Sequence, residues 1–298
     1  MPTPRDLFDQ LSTGITDGRF ADLAQLYAED TVVEHPTAVP RPGRLEGRAA
    51  LHDRFVSGLG QTLRLKRHDV TVHETADPEV IVAEYQYTAE SRKTGRTTET
   101  ANIQVLRARD GLLAHTRDYH DYLRLAAIQN ATAGLVEAYA QAPAYEPRPT
   151  APRPAELFSA DSREGVFQRV VFGVADGRWS ELPDLYAAKT DVRHPFLPGA
   201  PILRTRDDLR AHFTAGAAAG FRIEVTDLVL HLSKDPEVII GESTYVGETS
   251  VGTAFELNNI FAMRIRNGEI VESRDYGDHL ALAAATGRLP ELITRVAE

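Results

Sequence analysis

Apolar positions return every three or four residues in two parts of the chain, in the same arrangement both times. Leu7, Leu11 and Ile15, then Phe20, Leu23, Leu26 and Tyr27, trace one helical stripe interrupted at Asp17-Gly18. Val166, Val170 and Val174, then Trp179, Leu182, Leu185 and Tyr186, trace the second. A third helix is expected in each part, over Ala49–Leu59 and Asp207–Ala217. The stretch between the second and third helices carries a His-Pro pair. It should be short and extended, because a residue before proline is pushed out of the helical region.

Downstream the period changes from helical to strand-like. Asp69–Glu74, Val80–Glu90, Thr97–Ala108 and Leu112–Tyr119 are rich in β-branched and aromatic residues, with Gly or Asp-Pro between them. Arg222–Leu232, Val238–Thr249, Thr253–Ile265 and Glu269–Tyr276 repeat the series. Helices followed by a strand meander predict an α+β class, with an antiparallel sheet and helices on one face. The basic run RLKRH (64–68) reads as a solvated strand edge.

The two parts are copies. DGRFADLAQLYAEDTVVEHP (17–36) matches DGRWSELPDLYAAKTDVRHP (176–195), with an offset of 194 − 35 = 159. ADPEVIVAEYQY (76–87) matches KDPEVIIGESTY (234–245), and TRDYHDYLRLAA (116–127) matches SRDYGDHLALAA (273–284). The offset falls to 235 − 77 = 158 and then to 275 − 118 = 157, which indicates small loop deletions. A period this long indicates duplicated domains rather than a solenoid. Five prolines in APAYEPRPTAPRPAE (142–156) predict a stiff linker. The expected domains are 1–141 and 157–298.

Composition narrows the function. The formal net charge is −10, so neither a phosphate backbone nor an anionic membrane surface is an expected partner. The 298 residues include no cysteine, which excludes disulfides and thiolate chemistry. No signal-like apolar run opens the chain, and a cytoplasmic protein is expected. Glycine-rich phosphate loops and dinucleotide fingerprints are absent. His73, His115, His120 and His279 show no strict ligand spacing, so no metal and no cofactor are expected.

The element order, the two LYA…HP stretches and the two RDY endings resemble the nuclear transport factor 2-like superfamily, and within it the SnoaL-like polyketide cyclases. The resemblance implies two cone-shaped α+β barrels, each a curved sheet wrapped on three helices around an apolar pocket. It also implies pairing through the outer sheet face, as an internal pseudo-dimer or a homodimer.

Within that resemblance, His35 and His194 fall where ketosteroid-isomerase-like relatives place an acidic base before proline. A neutral imidazole at that place can move a proton beside a carbonyl. The alternative is a histidine that caps a helix or bonds a backbone carbonyl. Strand alternation puts Asp118 and Asp275 on the pocket face, where desolvation would suit them to acid or base work. The alternative is that they cap the following helix. Asn102 and Asn259, with Tyr87 and Tyr245, are candidates to orient a substrate carbonyl; a backbone bond competes for each amide. Arg117 and Arg274 should pair on the outer face.

Departures narrow the chemistry. Leu11 and Val170 replace the oxyanion tyrosine of an isomerase, and Gln104 and Phe261 replace its second acid. The acids of an epoxide hydrolase are incomplete. The expected function is therefore acid–base cyclisation, isomerisation or dehydration of a hydrophobic, carbonyl-containing small molecule in specialised metabolism. An epoxide hydrolase or epoxide-opening cyclase and a non-catalytic binder of lipophilic ligands are the alternatives.

Overall fold

The computed structural model describes residues 1–143, 145 and 158–297. The proline-rich linker therefore lies almost wholly outside the described residues. The chain divides into two compact units, Met1–Gln141 and Ala142–Arg295.

In the first unit, helix α1 (Pro4–Thr16) starts at a capping box between Thr3 and Asp6, with Pro4 in its first turn. Helix α2 (Phe20–Leu23) runs into a 3-10 turn that ends at Leu26. Strands β1 (Tyr27–His35) and β2 (Gly43–Glu46) precede α3 (Arg48–Ser57) and the single turn α4 (Leu59–Thr62). Strands β3 (Leu63–Glu74), β4 (Val80–Ser91), β5 (Thr97–Arg109) and β6 (Leu112–His120) form an antiparallel meander. Helices α5 (Tyr122–Ile128) and α6 (Thr132–Gln141) follow.

The second unit repeats the plan with α7 (Arg163–Ala175), a 3-10 turn (Leu182–Leu185), β7 (Tyr186–Arg193), β8 (Leu203–Thr205) and α8 (Arg206–Ala218). Strands β9 (Arg222–Leu232), β10 (Val238–Glu248), β11 (Ala254–Arg266) and β12 (Glu269–Tyr276) then lead to α9 (His279–Ala285) and α10 (Leu289–Ala297). No helix among the described residues is long and apolar enough to cross a membrane.

Each unit holds one six-stranded sheet, in the order β2-β1-β6-β5-β4-β3 and β8-β7-β12-β11-β10-β9. The class is α+β, as the periodicity predicts, but the sheets are not wholly antiparallel. Strands β1 and β6 run parallel, as do β7 and β12. Tyr27 and Tyr186 open these strands instead of closing a helix. The RLKRH run is interior to β3, which starts at Leu63 and bulges between His68 and Thr71, where Asp69 takes a positive φ.

The parallel pairing positions the site. Val33 faces Thr116 and Glu34 faces Arg117, so the register carries His35 to the level of Asp118. Val192 facing Ser273 and Arg193 facing Arg274 do the same for His194 and Asp275. Alternation sends the intervening residues outward. There Arg117 pairs with Glu34 at 3.0 Å, and Arg274 pairs with Asp191 at 3.0 Å. The inner faces pack on the first helices, through Leu7, Phe8, Leu11 and Tyr27 in one core and Val166, Phe167, Val170 and Tyr186 in the other.

Candidate functional site

Each unit keeps an apolar hollow between its sheet and its helices. The first measures about 110 Å³ and the second about 460 Å³. His35, Tyr87, Asn102 and Asp118 line the first; His194, Tyr245, Asn259 and Asp275 line the second. The fold therefore brings all eight residues singled out in the sequence to cavity walls.

In the first cavity Asp118 is buried, and burial pushes its carboxyl upward, against the opposing influence of His35 and of a hydrogen bond from Gln104. That bond, Gln104 Nε2 to Asp118 Oδ1, measures 2.7 Å and follows from the pairing of β5 with β6. Two residues further along β6, His120 enters the same space. Its Nδ1 lies 2.9 Å from Asn102 Oδ1, while Asn102 Nδ2 donates to the Thr100 carbonyl at 3.3 Å. The amide is thus oriented with its oxygen toward the ring, so Nδ1 carries the hydrogen and Nε2 keeps its lone pair. Burial, with His35 and Arg54 nearby, pushes His120 down to about 3. The His35 and His120 rings stand 5.9 Å apart, and His35 Nδ1 is buried without a hydrogen-bond partner.

One donor atom each from His35, Asp118 and His120 lie within 4.8 Å of one another, a grouping able to hold a metal ion. Sequence spacing could not reveal the set, because a parallel strand pairing joins position 35 to positions 118 and 120.

The second cavity is built differently. Ser273 Oγ donates to Asp275 Oδ1, and the other oxygen, Oδ2, lies 3.9 Å from His194 Nε2. Burial raises Asp275 to about 6 and lowers His194 to about 4. Phe261 stands opposite Asp275 on β11, where Gln104 stands opposite Asp118 in the first copy. Gly277 replaces His120, and the imidazole of His279 comes over it from α9. A Cβ on Gly277 would lie 3.3 Å from His279 Nε2, and that nitrogen is buried without a partner. His212 of α8, exposed at the rim, brings its ring to 4.9 Å from that of His194. His120, His279 and His212 were not among the residues singled out. Their only signal in the sequence was that His120 and His279 fall inside the last matched block and His212 on the expected third helix of the second copy.

Three expectations change. Neither Asp118 nor Asp275 caps a helix: Asp121 accepts from Arg124 N at 3.0 Å and Asp278 from Ala281 N at 3.1 Å, three residues further on. This leaves the RDY aspartates to the cavities. Both asparagines are bonded to protein; Asn259 donates to the Leu257 carbonyl at 3.1 Å and accepts from Asp278 N at 3.2 Å. Through these bonds they brace the β–α junction from the cavity wall. Tyr245 donates its hydroxyl to the Val171 carbonyl at 3.3 Å, so that proton is already committed.

The SnoaL-like domain family matches the chain twice, over residues 8–116 and 167–273. Uncharacterized protein YesE of Bacillus subtilis (strain 168) is 32% identical over 97 residues, 32% of this chain and 65% of that protein. The matched stretch thus falls just short of two thirds of that relative's length. Among solved structures, a Bacillus subtilis protein provisionally named an isomerase is 25% identical, with a TM-score of 0.40 over 42% of this chain and 91% of that one. A Xanthomonas campestris protein provisionally named a polyketide cyclase is 18% identical, with a TM-score of 0.35 over 39% and 88%.

Proposed function

The chain belongs to the SnoaL-like domain family, with the nuclear transport factor 2-like α+β fold in both halves, and from that premise we propose that its second domain moves protons on a hydrophobic, carbonyl-containing small molecule. The observation that carries the reading is the His194–Asp275 pair, set 3.9 Å apart at the wall of a 460 Å³ apolar cavity. At neutral pH Asp275 is ionised yet close to its own midpoint, which suits it to take a proton from carbon beside a carbonyl and return it elsewhere. Ser273 holds one carboxylate oxygen and leaves the other toward His194. His194 stays neutral, and a neutral imidazole can donate a hydrogen bond to the oxygen on which charge develops. The surrounding Trp179, Phe213, Phe221 and Phe261 exclude water and strengthen both contacts. Enolisation followed by cyclisation, isomerisation or dehydration is the reaction class that fits.

A second reading has one observation in its favour. Asp278 also lines this cavity, and burial raises its carboxyl to about 7. Two acids at one cavity are what opening an epoxide requires.

The test is solvent-deuterium exchange, followed by proton NMR, on hydrophobic ketones and diketones shown to bind by quenching of Trp179. Exchange at the α-carbon that disappears in Asp275→Asn supports the proton shuttle. Binding without exchange in any ligand overturns it in favour of a carrier. Incorporation of labelled water oxygen into an epoxide probe overturns it in favour of hydrolysis.

A further inference from the structure

We infer that the first domain is a binding site for one divalent first-row transition ion, held by His35, Asp118 and His120. Two imidazoles and one carboxylate are a ligand set that zinc and ferrous iron both accept, with coordination positions left open. The second domain provides the contrast. It keeps the His-Pro histidine and the RDY aspartate, but Gly277 stands where His120 stands, and no group of this kind occurs there among the described residues.

The surroundings are those of a prepared ligand shell. Asn102 fixes the His120 tautomer with Nε2 bare, the atom a metal needs. A partner on the other ring nitrogen is the usual support of a metal-bound histidine. Gln104 holds Asp118 by Oδ1 and leaves Oδ2 to coordinate. His35 Nδ1 is buried with no partner, a cost that a bound cation or a turn of the ring would relieve. The donor atoms lie within 4.8 Å of one another, and any pair more than about 4 Å apart must close in for bonds near 2.1 Å to one ion. His35 is the ring able to move, because His120 and Asp118 are each tied by an amide. Arg54 also lines this cavity from α3, and its charge opposes a cation. It is solvent-exposed, however, so salt screens it. Tyr85, Tyr87 and Phe55 close the rest of the wall and keep bulk water from competing for the ion.

The experiment uses the full chain, stripped with a chelator and titrated with zinc against a competing chelating dye, then loaded with cobalt for visible spectroscopy. One ion per chain is expected, with cobalt bands that change in His120→Ala. Affinity should fall at least about tenfold in each of His35→Ala, Asp118→Asn and His120→Ala, and also in Asn102→Ala, which frees the tautomer. His194→Ala should leave it unchanged. Circular dichroism checks that every variant is folded. Absence of stoichiometric uptake by folded wild-type protein overturns the inference. So does uptake that survives the three ligand substitutions, or that His194→Ala removes as well. The site is in the other domain from the proton shuttle, so either reading can fail without the other.

Discussion

Asp275 carries an electrostatic cost that a titration can expose. Its side chain is 15% solvent-exposed, and its carboxyl stands at about 6 against an ordinary 3.8. A raised carboxylate pKa means the folded state binds the proton more tightly than the unfolded chain does. Stability then falls as pH rises from about 4 to about 6, and the penalty is fully present above that window. Asn has the same shape and no charge, and its oxygen can still accept from Ser273. Asp275→Asn is therefore expected to stabilise the second domain at pH 8 by roughly 2 kcal/mol. The gain should vanish at pH 4. Urea unfolding followed by Trp179, the chain's single tryptophan, reads the second domain alone. An equal shift at both pH values would mean the carboxyl is not desolvated. His194 and His279, lowered to about 4 and about 3, act in the opposite sense. They cost stability as pH falls below about 6.5, in wild type and variant alike, so the comparison between the two isolates the aspartate.

At the level of elements, the two copies solve one packing problem in two ways. Phe8 of α1 leans on Tyr85 of β4, ring to ring at 5.5 Å, and Ala83 fits beside it. In the second copy Tyr85 becomes Ser243 and Ala83 becomes Gly241. Phe167, without that ring to lean on, drops onto the glycine: a Cβ there would sit 2.2 Å from Phe167 Cζ. Gly241→Ala should destabilise the second domain by about 1–3 kcal/mol by overpacking. Adding Phe167→Leu should recover most of the loss, and thermal unfolding read by Trp179 fluorescence checks both. A neutral Gly241→Ala would show that the strand yields without cost.

Such compensation between distant positions explains what was legible in the chain. The 3.6 and 2.0 periods placed α1, α3, α7, α8 and the four meander strands, because each depends on local patterning. The parallel pairing of β1 with β6 joins Val32 to His115, far apart in sequence, and left no local trace, while β2 and β8, each paired with the strand just before it, are too short for a period to show. His35 and Asp118 were legible as candidates through the repeat and its resemblance. His120 and His279 were not, because copies that place an imidazole in similar space from different positions, 120 and 279 − 157 = 122, do not align. The capping alternative for Asp118 and Asp275 fails by three residues, because RDYHD and RDYGD each offer two aspartates and only backbone geometry chooses between them.

At the scale of the whole molecule, duplication has produced two cavities of different size from one plan. Exchanging Tyr85 for Ser243, His120 for Gly277 and Tyr122 for His279 removes bulk from the second, and it measures about 460 Å³ against 110 Å³. Sites for drug-sized ligands usually offer about 300–1,000 Å³, so only the second can hold a polycyclic molecule. A bulky aromatic ketone is expected to bind with a stoichiometry of one per chain and to quench Trp179, which lines that cavity. Val170→Phe, which places a ring in the same space from α7, should abolish the quenching by the bulky ketone and spare that by cyclohexanone. The corresponding Leu11→Phe in the first domain should change neither. Calorimetry alongside fluorescence separates the outcomes. Two equivalents of the bulky ketone, or one equivalent lost in Leu11→Phe and kept in Val170→Phe, would place the large-ligand site in the wrong half and reverse the division of labour between the copies.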